Sequence, residues 1–285
     1  MNYRHAYHAG NFADVIKHAV LARLLMHLRD KPAAFRVIDT PAGAGRYDLG
    51  SVEAGKTQEW RDGIGRIFHA EFGAPVRALL APYLDAVAAL NPSGALTTYP
   101  GSPALAQALL RPQDRLVACE LEPRAAAALE NHLRGDARAK AITIDGWTAL
   151  AAYVPPKEWR GLVLVDPPFE QPGEFSRLAQ GLAAAHRKWP TGSYLFWYPI
   201  KDDAEVSGFA RRLVRLGIAK MLRVELILAT AGANTGLRGS GLIAVNPPWT
   251  LHDEIKVLLP ALADAMSRGA KSRLRLDWLA GESMS

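Results

Sequence analysis

The sequence predicts an α/β fold: a mostly parallel, doubly wound sheet with helices on both faces. Short apolar runs alternate with amphipathic helical stretches along the chain, which is typical of a parallel sheet. The last two predicted strands, residues 224–229 and 241–245, are joined by a Gly- and Asn-rich loop without a helix, which predicts an antiparallel hairpin. The sheet then has seven strands, the first five at residues 36–39, 115–120, 141–145, 161–166 and 193–198.

Helical stretches fill most of the intervals between these strands. Apolar residues recur at helical spacing over residues 14–29, with Pro32 as the stop, and again over 123–133 and 175–188. The first two strands are about 75 residues apart, more than a simple crossover needs. We therefore expect one domain, residues 1–285, with a helical insertion at about residues 50–100 and a crossover helix at 103–110.

Composition sets limits on the class of protein. The chain has 285 residues, 49% of them hydrophobic, with one cysteine, Cys119, and a net charge of +6. A single cysteine excludes an internal disulfide framework and fits the cytoplasm, while no apolar run reaches the ~18–20 residues of a membrane span. Cysteine pairs and a His-Glu-x-x-His spacing are absent, so no zinc site is expected. The positive charge favours a polyanionic partner, although the basic runs (186–188, 211–215, 220–223 and 271–275) are more often solvated helix faces.

The segment that ends the fourth strand carries the clearest chemical signal. Four apolar residues lead directly into Asp166-Pro167-Pro168-Phe169. Proline removes backbone donors, so the Pro167 carbonyl is left free to accept a hydrogen bond at the strand end where open α/β sheets bind ligands. A carboxylate, a carbonyl and an aromatic face suit a flat ring with an exocyclic amino group, and Phe169 would stack on it. The motif resembles that of amino-group methyltransferases acting on adenine.

A second segment has nearly the same design. Residues 241–245 lead into Asn246-Pro247-Pro248-Trp249, and either Pro-Pro pair can be no more than a rigid exit turn. The two copies are distinguished by strand direction: Asn246 ends a strand predicted to be antiparallel, which places its turn at the opposite edge of the sheet. We therefore interpret Asn246 as structural.

Acidic residues at the ends of successive parallel strands support the first segment. Asp39, Glu120, Asp145 and Asp166 end four strands, and parallel strands end at one edge of the sheet. Gly43-Ala44-Gly45 follows the first strand, but no third glycine completes a dinucleotide fingerprint, so NAD is disfavoured. Glu120 is placed to accept from ribose hydroxyls and Asp145 from an adenine amino group, which indicates a nucleoside cofactor.

The whole chain resembles the RlmJ-type 23S ribosomal RNA adenine-N6 methyltransferases, which have a Rossmann-like class I fold. The resemblance is carried by these segments: Tyr3-Arg4-His5, His8-Ala9-Gly10-Asn11, Ala13-Asp14-Val15, Lys17-His18, Asp39-Thr40, Ala42-Gly43-Ala44-Gly45-Arg46-Tyr47, Tyr99-Pro100-Gly101-Ser102-Pro103, Asp166-Pro167-Pro168 and Asn246-Pro247-Pro248-Trp249.

The resemblance implies a cofactor, a substrate and a set of site residues. The cofactor is S-adenosyl-L-methionine, with contacts at His18, Pro41, Ser102, Glu120, Asp145, Gly146 and Asp166. Asp166 is the catalytic residue, and Tyr3 matches a substrate-contacting tyrosine in an N-terminal segment that lies over the pocket. Pro167 and Phe169 are the substrate contacts that the chemistry of the Asp166 motif itself predicts. Two positions depart from the family: Pro41 replaces His and Phe169 replaces Tyr.

The expected reaction is methylation of N6 of a specific adenine in 23S ribosomal RNA, presented as naked or unassembled RNA. Three alternatives stay open: a DNA adenine methyltransferase, a methyltransferase of a protein glutamine amide, and a non-catalytic RNA-binding protein. No metal and no membrane partner are expected.

Overall fold

The computed structural model describes residues 4–228, 237–267 and 271–281. Its strands are β1 (Arg36–Thr40), β2 (Arg46–Asp48), β3 (Thr98–Pro100), β4 (Arg115–Glu120), β5 (Ala139–Thr143), β6 (Gly161–Val165), β7 (Ser193–Ile200), β8 (Met221–Ile227), β9 (Gly239–Val245) and β10 (Arg273–Ala280). Its α-helices are α1 (Phe12–Arg29), α2 (Val52–Thr57), α3 (Ile64–Phe68), α4 (Ala74–Ala89), α5 (Ser102–Leu109), α6 (Pro123–Leu133), α7 (Gly146–Tyr153), α8 (Glu174–Lys188), α9 (Asp203–Val214) and α10 (Leu251–Met266). None of these helices is long and apolar enough to cross a membrane.

The main sheet has the order β10-β8-β9-β7-β6-β1-β4-β5. Five adjacent strands run parallel to one another, in the order β7, β6, β1, β4 and β5. Strand β9 lies between β7 and β8 and is antiparallel to both. The predicted class I methyltransferase fold, with its antiparallel hairpin, is therefore confirmed. The predicted number of strands is wrong: the sheet has eight, because β10 pairs antiparallel with the free edge of β8.

The central strand β6 shows why the sheet is covered on both sides. All five of its residues are buried. Leu162 and Leu164 pack into the core beneath α1, whereas Val163 and Val165 pack into the core beneath α8. Successive strand residues point to opposite faces, so an uninterrupted apolar run requires a helical layer on each face.

Helix α1 lies almost wholly inside the molecule. The side-chain oxygen of Asn11 accepts hydrogen bonds from the backbone amides of Ala13 and Asp14, so the helix begins two residues before the predicted start. It ends at Arg29, three residues before Pro32. Since α1 packs between the sheet and α4, α5 and α10, even Lys17 and His18 are buried.

The residues between β1 and β4 form helices α2 to α4 and the crossover helix α5. Strands β2 and β3 pair antiparallel, with Tyr47 opposite Tyr99, and so join the two ends of the helical stretch. The interpretation of residues 50–100 as an insertion into a single domain stays a prediction.

Candidate active site

A cleft of about 540 Å³ opens at the carboxyl ends of the parallel strands. Its volume falls within the range of roughly 300–1,000 Å³ that is usual for small-molecule sites. The residues predicted to contact the cofactor all line it, and they are His18, Pro41, Ser102, Glu120, Asp145, Gly146 and Asp166. Pro167 lines it as well.

The glycine turn after β1 holds the carboxylate of Glu120. The Gly43 amide donates to Glu120 Oε2 at 2.8 Å, while the Leu121 and Glu122 amides donate to Oε1 at 2.7 and 2.8 Å. Gly43 has a φ of +66°, and a Cβ there would collide with the Tyr47 hydroxyl. Three amides therefore fix the Glu120 side chain in the cleft wall, where its oxygens are available to hydroxyl donors.

The corner between β5 and α7 presents Asp145 and Gly146. Asp145 Oδ1 caps α7 by accepting from the Thr148 amide at 2.9 Å and from its hydroxyl at 3.1 Å, and no described residue donates to Oδ2. The Thr40 hydroxyl donates to the Gly146 carbonyl at 3.0 Å. A Cβ on Gly146 would lie 2.8 Å from Thr40 Oγ1 and 3.2 Å from Pro41 Cδ, so this corner packs directly on the proline ring.

The back wall contains a buried histidine with one free nitrogen. His18 Nδ1 lies 2.7 Å from the Tyr99 hydroxyl, which in turn lies 2.9 Å from the Tyr83 hydroxyl. Its Nε2 is buried and has no hydrogen-bond partner among the described residues. Burial lowers the pKa of His18 to about 3, so the ring is neutral at physiological pH and has one unused nitrogen.

Asp166 is held by a buried lysine. Lys17 Nζ donates to Asp166 Oδ2 at 2.5 Å and to Asp14 Oδ1 at 2.7 Å. The second oxygen of Asp14 accepts from the Gly10 amide and contacts His5 Nε2, both at 2.9 Å. A chain of polar contacts therefore runs from the N-terminal segment to the carboxylate at the end of β6.

Charge balance accounts for this burial. Burial raises the pKa of Asp14, but His5 and Lys17 outweigh it and hold that pKa well below its usual value. Burial lowers the pKa of Lys17, but Asp14 and Asp166 outweigh it and raise the pKa above 10.5. Lys17 is therefore a permanent cation between two carboxylates. No role is assigned to Lys17 or Asp14 from the sequence, although their i, i+3 spacing on a helix is the pattern of an ion pair.

Asp39, the acid at the end of β1, lies behind the cleft wall. It is fully buried, and neither carboxyl oxygen has a hydrogen-bond partner among the described residues. Burial raises the pKa of Asp39 to about 7, and the nearby Ser102 hydroxyl opposes part of that rise. Asp39 therefore binds a proton far more readily than an ordinary surface aspartate.

Comparison with known proteins places the chain in a family. The family model described as "Ribosomal RNA large subunit methyltransferase D, RlmJ" matches residues 32–280. The chain belongs to the RlmJ family. It is therefore a methyltransferase of that family.

Individual relatives agree over their full lengths. Ribosomal RNA large subunit methyltransferase J of Escherichia coli is 37% identical over 282 residues, covering 99% of this chain and 100% of the relative. The protein of that name from Haemophilus influenzae is 35% identical over 283 residues, with the same coverage. The crystal structure of protein LPL1258 from Legionella pneumophila has a TM-score of 0.86 at 34% identity, covering 97% of this chain and 99% of that one.

Of the three predicted substrate contacts in this RlmJ-family chain, one lines the cleft. Pro167 lies in the cleft wall, and no described group donates to its carbonyl oxygen. Phe169 does not line the cleft: its φ is +51°, and its ring packs edge-on against Phe175 at 5.0 Å and Trp197 at 5.8 Å between centroids. Stacking of Phe169 on a base stays a prediction. Tyr3 lies outside the described residues.

The second Pro-Pro segment is far from the cleft. The Asn246 side chain donates to the carbonyl oxygens of Pro190 and Gly192, both at 2.8 Å, just before β7 begins. Because β9 is antiparallel to β7, this contact lies at the edge of the sheet opposite the cleft. The predicted position of Asn246 at the opposite edge is therefore confirmed, and its purely structural role stays a prediction.

Proposed function

We propose that this protein transfers the methyl group of S-adenosyl-L-methionine to N6 of an adenine in 23S ribosomal RNA. One observation carries the proposal: a single cleft holds Asp166 and the free Pro167 carbonyl beside the strand-end acids Glu120 and Asp145. The first pair suits an aromatic amino group and the second suits a nucleoside. The relatives from Escherichia coli and Haemophilus influenzae are both named ribosomal RNA large subunit methyltransferase J, which supports the choice of RNA.

The residues in the cleft fit the proposed cofactor. Glu120, fixed by three amides, is suited to the two ribose hydroxyls, and Asp145 Oδ2 is suited to the adenine amino group. The unused His18 Nε2 lies in the same wall. When bound, S-adenosylmethionine supplies a methyl group made electrophilic by the sulfonium.

The chain's own groups then act on the amino nitrogen. An adenine N6 is a weak nucleophile because its lone pair is delocalised into the ring. Its two hydrogens donate to Asp166 and to the Pro167 carbonyl, which favours a pyramidal nitrogen with its lone pair free. Lys17 keeps Asp166 oriented. Holding the amino nitrogen in line with the methyl group can supply up to roughly 7–11 kcal/mol of the barrier reduction. As a carboxylate hydrogen-bonded to that nitrogen, Asp166 is suited to accept the proton that N6 loses after the methyl group is transferred.

The target base must reach the strand ends. A stacked, paired adenine does not expose N6 to a cleft in this way, so the substrate is an unpaired adenosine or one that the enzyme extrudes. The net charge of +6 favours association with the RNA backbone.

The test is methyl transfer to purified RNA. Labelled S-adenosylmethionine is incubated with naked 23S RNA from a strain that lacks this gene, and the product is mapped by mass spectrometry. We expect one N6-methyladenosine with the wild-type protein and none with Asp166→Ala. Asn246→Ala, in the look-alike segment, is the control and retains transfer.

Three results contradict the proposal. Wild-type turnover by Asp166→Ala would reject the role of that carboxylate. Label that enters duplex DNA or protein but not RNA would indicate one of the other methyltransferase substrates. Failure to bind S-adenosylmethionine in calorimetry would indicate a non-catalytic RNA-binding protein.

A further inference from the structure

The basic runs that stand out in the sequence do not account for positive charge at the cleft. Residues 186–188 lie in the last turn of α8, at the end away from the cleft, where Lys188 Nζ donates to the Ala151 carbonyl at 2.6 Å. Arg223 pairs with Asp277 at 2.7 Å and Arg273 pairs with Asp203 at 2.5 Å. Among the described residues, none from the four basic runs lines the cleft.

Isolated arginines supply the charge instead. Among the described residues, Arg4, Arg124 and Arg177 line the cleft. Arg4 pairs with Glu53 at 3.3 Å. Arg177 lies in the first turn of α8, the helix that follows the Asp166-Pro167-Pro168 segment. Of the three arginines, Arg177 is therefore the one nearest in sequence to the segment proposed to bind the target base.

The guanidinium of Arg177 is held from two sides. Its Nη1 donates to Glu174 Oε1 at 3.0 Å, and its Cζ lies 6.0 Å from the centroid of the Trp147 ring. The Glu174 side chain is only 6% exposed, so it is a fixed anchor, whereas the Arg177 side chain is 52% exposed. A guanidinium has five N–H donors, and no described residue accepts from the other nitrogens of Arg177. The group is oriented, and most of its donors are free at the rim of the cleft.

We propose that Arg177 binds a phosphate of the RNA strand next to the target adenosine. This inference rests on the proposed function and adds a residue that positions the substrate. An adenosine that enters the cleft brings its flanking phosphates to the rim, and a planar, permanently charged fork is well matched to phosphate oxygens. The ring of Trp147 limits the motion of the guanidinium and so lowers the entropy lost when the phosphate binds.

The position of Arg177 favours an RNA phosphate over the carboxylate of the cofactor. Apart from Asp166, the predicted cofactor contacts lie on α1 and α5 and at the ends of β1, β4 and β5. Arg177 comes from α8, and the described contacts of its guanidinium are with Glu174 and with Trp147, the residue after Gly146; none is with a residue of α1 or α5. The alternative, that Arg177 binds the carboxylate of the cofactor, is tested by measuring the affinity for S-adenosylmethionine.

The experiment compares Arg177→Gln with Arg187→Gln. Arg187 is an exposed arginine in the last turn of the same helix, so the control removes the same charge at the far end. Binding of an RNA hairpin carrying the target adenosine is measured at several salt concentrations, and KM and kcat are measured alongside. We expect Arg177→Gln to weaken RNA binding roughly tenfold and to raise KM more than it lowers kcat. In Arg177→Gln, the slope of log K for RNA binding against log salt concentration should become shallower by about 0.7. Arg187→Gln should leave the RNA affinity and this slope unchanged.

Other outcomes overturn the inference. An Arg177→Gln slope equal to that of wild type, or equal losses in both variants, would show that Arg177 contacts no phosphate. A loss of S-adenosylmethionine affinity that matches the loss of RNA affinity would assign Arg177 to the cofactor. RNA binding is measured without turnover, so the salt slope tests Arg177 even if the wild-type protein does not methylate RNA. Absence of methylation by the wild-type protein would reject the proposed function and not the role of Arg177.

Discussion

Replacing Lys17 with methionine tests the polar chain that holds Asp166. Methionine fills much of the same space but carries no charge. Asp14 and Asp166 then lose the ammonium group that lies 2.7 and 2.5 Å from them. Water does not replace it readily, because the side chains of Lys17 and Asp14 are 4% and 2% exposed.

The expected loss of stability is large. Removing one partner of a buried ion pair costs about 3–5 kcal/mol, because the remaining charge is left without compensation. This is a substantial part of the roughly 5–15 kcal/mol that stabilises a typical protein. At about 2–4 °C per kcal/mol for a domain of this size, the melting temperature should fall by roughly 10 °C. Asp14 accounts for most of the loss, since the Asp166 side chain is 17% exposed and is partly solvated.

Urea denaturation of three variants separates the causes. Lys17→Met should be less stable than the double variant Asp14→Asn/Lys17→Met, in which the uncompensated carboxylate is also removed. Arg23→Met on the same helix removes an ion pair with Glu254 that is more exposed, at 16% and 18%, and should cost less. Methyl transfer should fall in both Lys17 variants because Asp166 loses its contact. A Lys17→Met free energy of unfolding within about 0.5 kcal/mol of wild type would refute the reasoning.

Three further predictions concern single sites. Above pH 7, Asp39→Asn should raise the free energy of unfolding of the cofactor-free protein by up to about 4 kcal/mol, and with it the melting temperature. This gain should vanish toward pH 4. The reason is that the raised pKa of Asp39, about 7, makes the folded carboxyl bind a proton that the unfolded one has lost; a gain that does not vary with pH would contradict it. Gly146→Ala should weaken S-adenosylmethionine binding in calorimetry, because its Cβ would lie 2.8 Å from Thr40 Oγ1, whereas the Cβ of Gly208→Ala meets nothing within 3.8 Å; equal affinities would exclude this packing argument. Asn246→Ala should lose about 1–3 kcal/mol in urea denaturation, because two carbonyls lose their donor, yet keep its turnover per folded molecule; a selective loss of turnover would assign Asn246 to catalysis.

Most of the sheet and the cleft wall can be predicted from the sequence, because both follow from local pattern. An apolar run that stops at an acid identifies a strand and its end, as at Asp166. Parallel strands end at one edge, so Glu120 and Asp145 fall in the same cleft without knowledge of the loops. The contact of Lys17 with Asp166 joins residues 149 positions apart, and no local pattern shows it.

Two other features escaped prediction for physical reasons. Strand β10 alternates charged and apolar residues from Arg273 to Trp278, and its arginines suggested a solvated basic run in place of an edge strand. The orientation of Phe169 depends on its left-handed backbone and on the rings of Phe175 and Trp197, which belong to other elements. Local sequence determines which residues end a strand. The orientation of a side chain that follows the strand is determined by tertiary packing.

The position of β9 between β7 and β8 has a consequence for synthesis of the chain. Strand β8 leaves the ribosome before β9, yet it has no hydrogen-bonded neighbour in the main sheet until β9 and β10 follow. The edge of β7 is likewise open until β9 pairs with it. A nascent chain that ends before residue 239 therefore exposes one edge of β7 and both edges of β8, and exposed edges are sites of misassociation. Completion of the sheet is a late event, and it depends on the last quarter of the sequence.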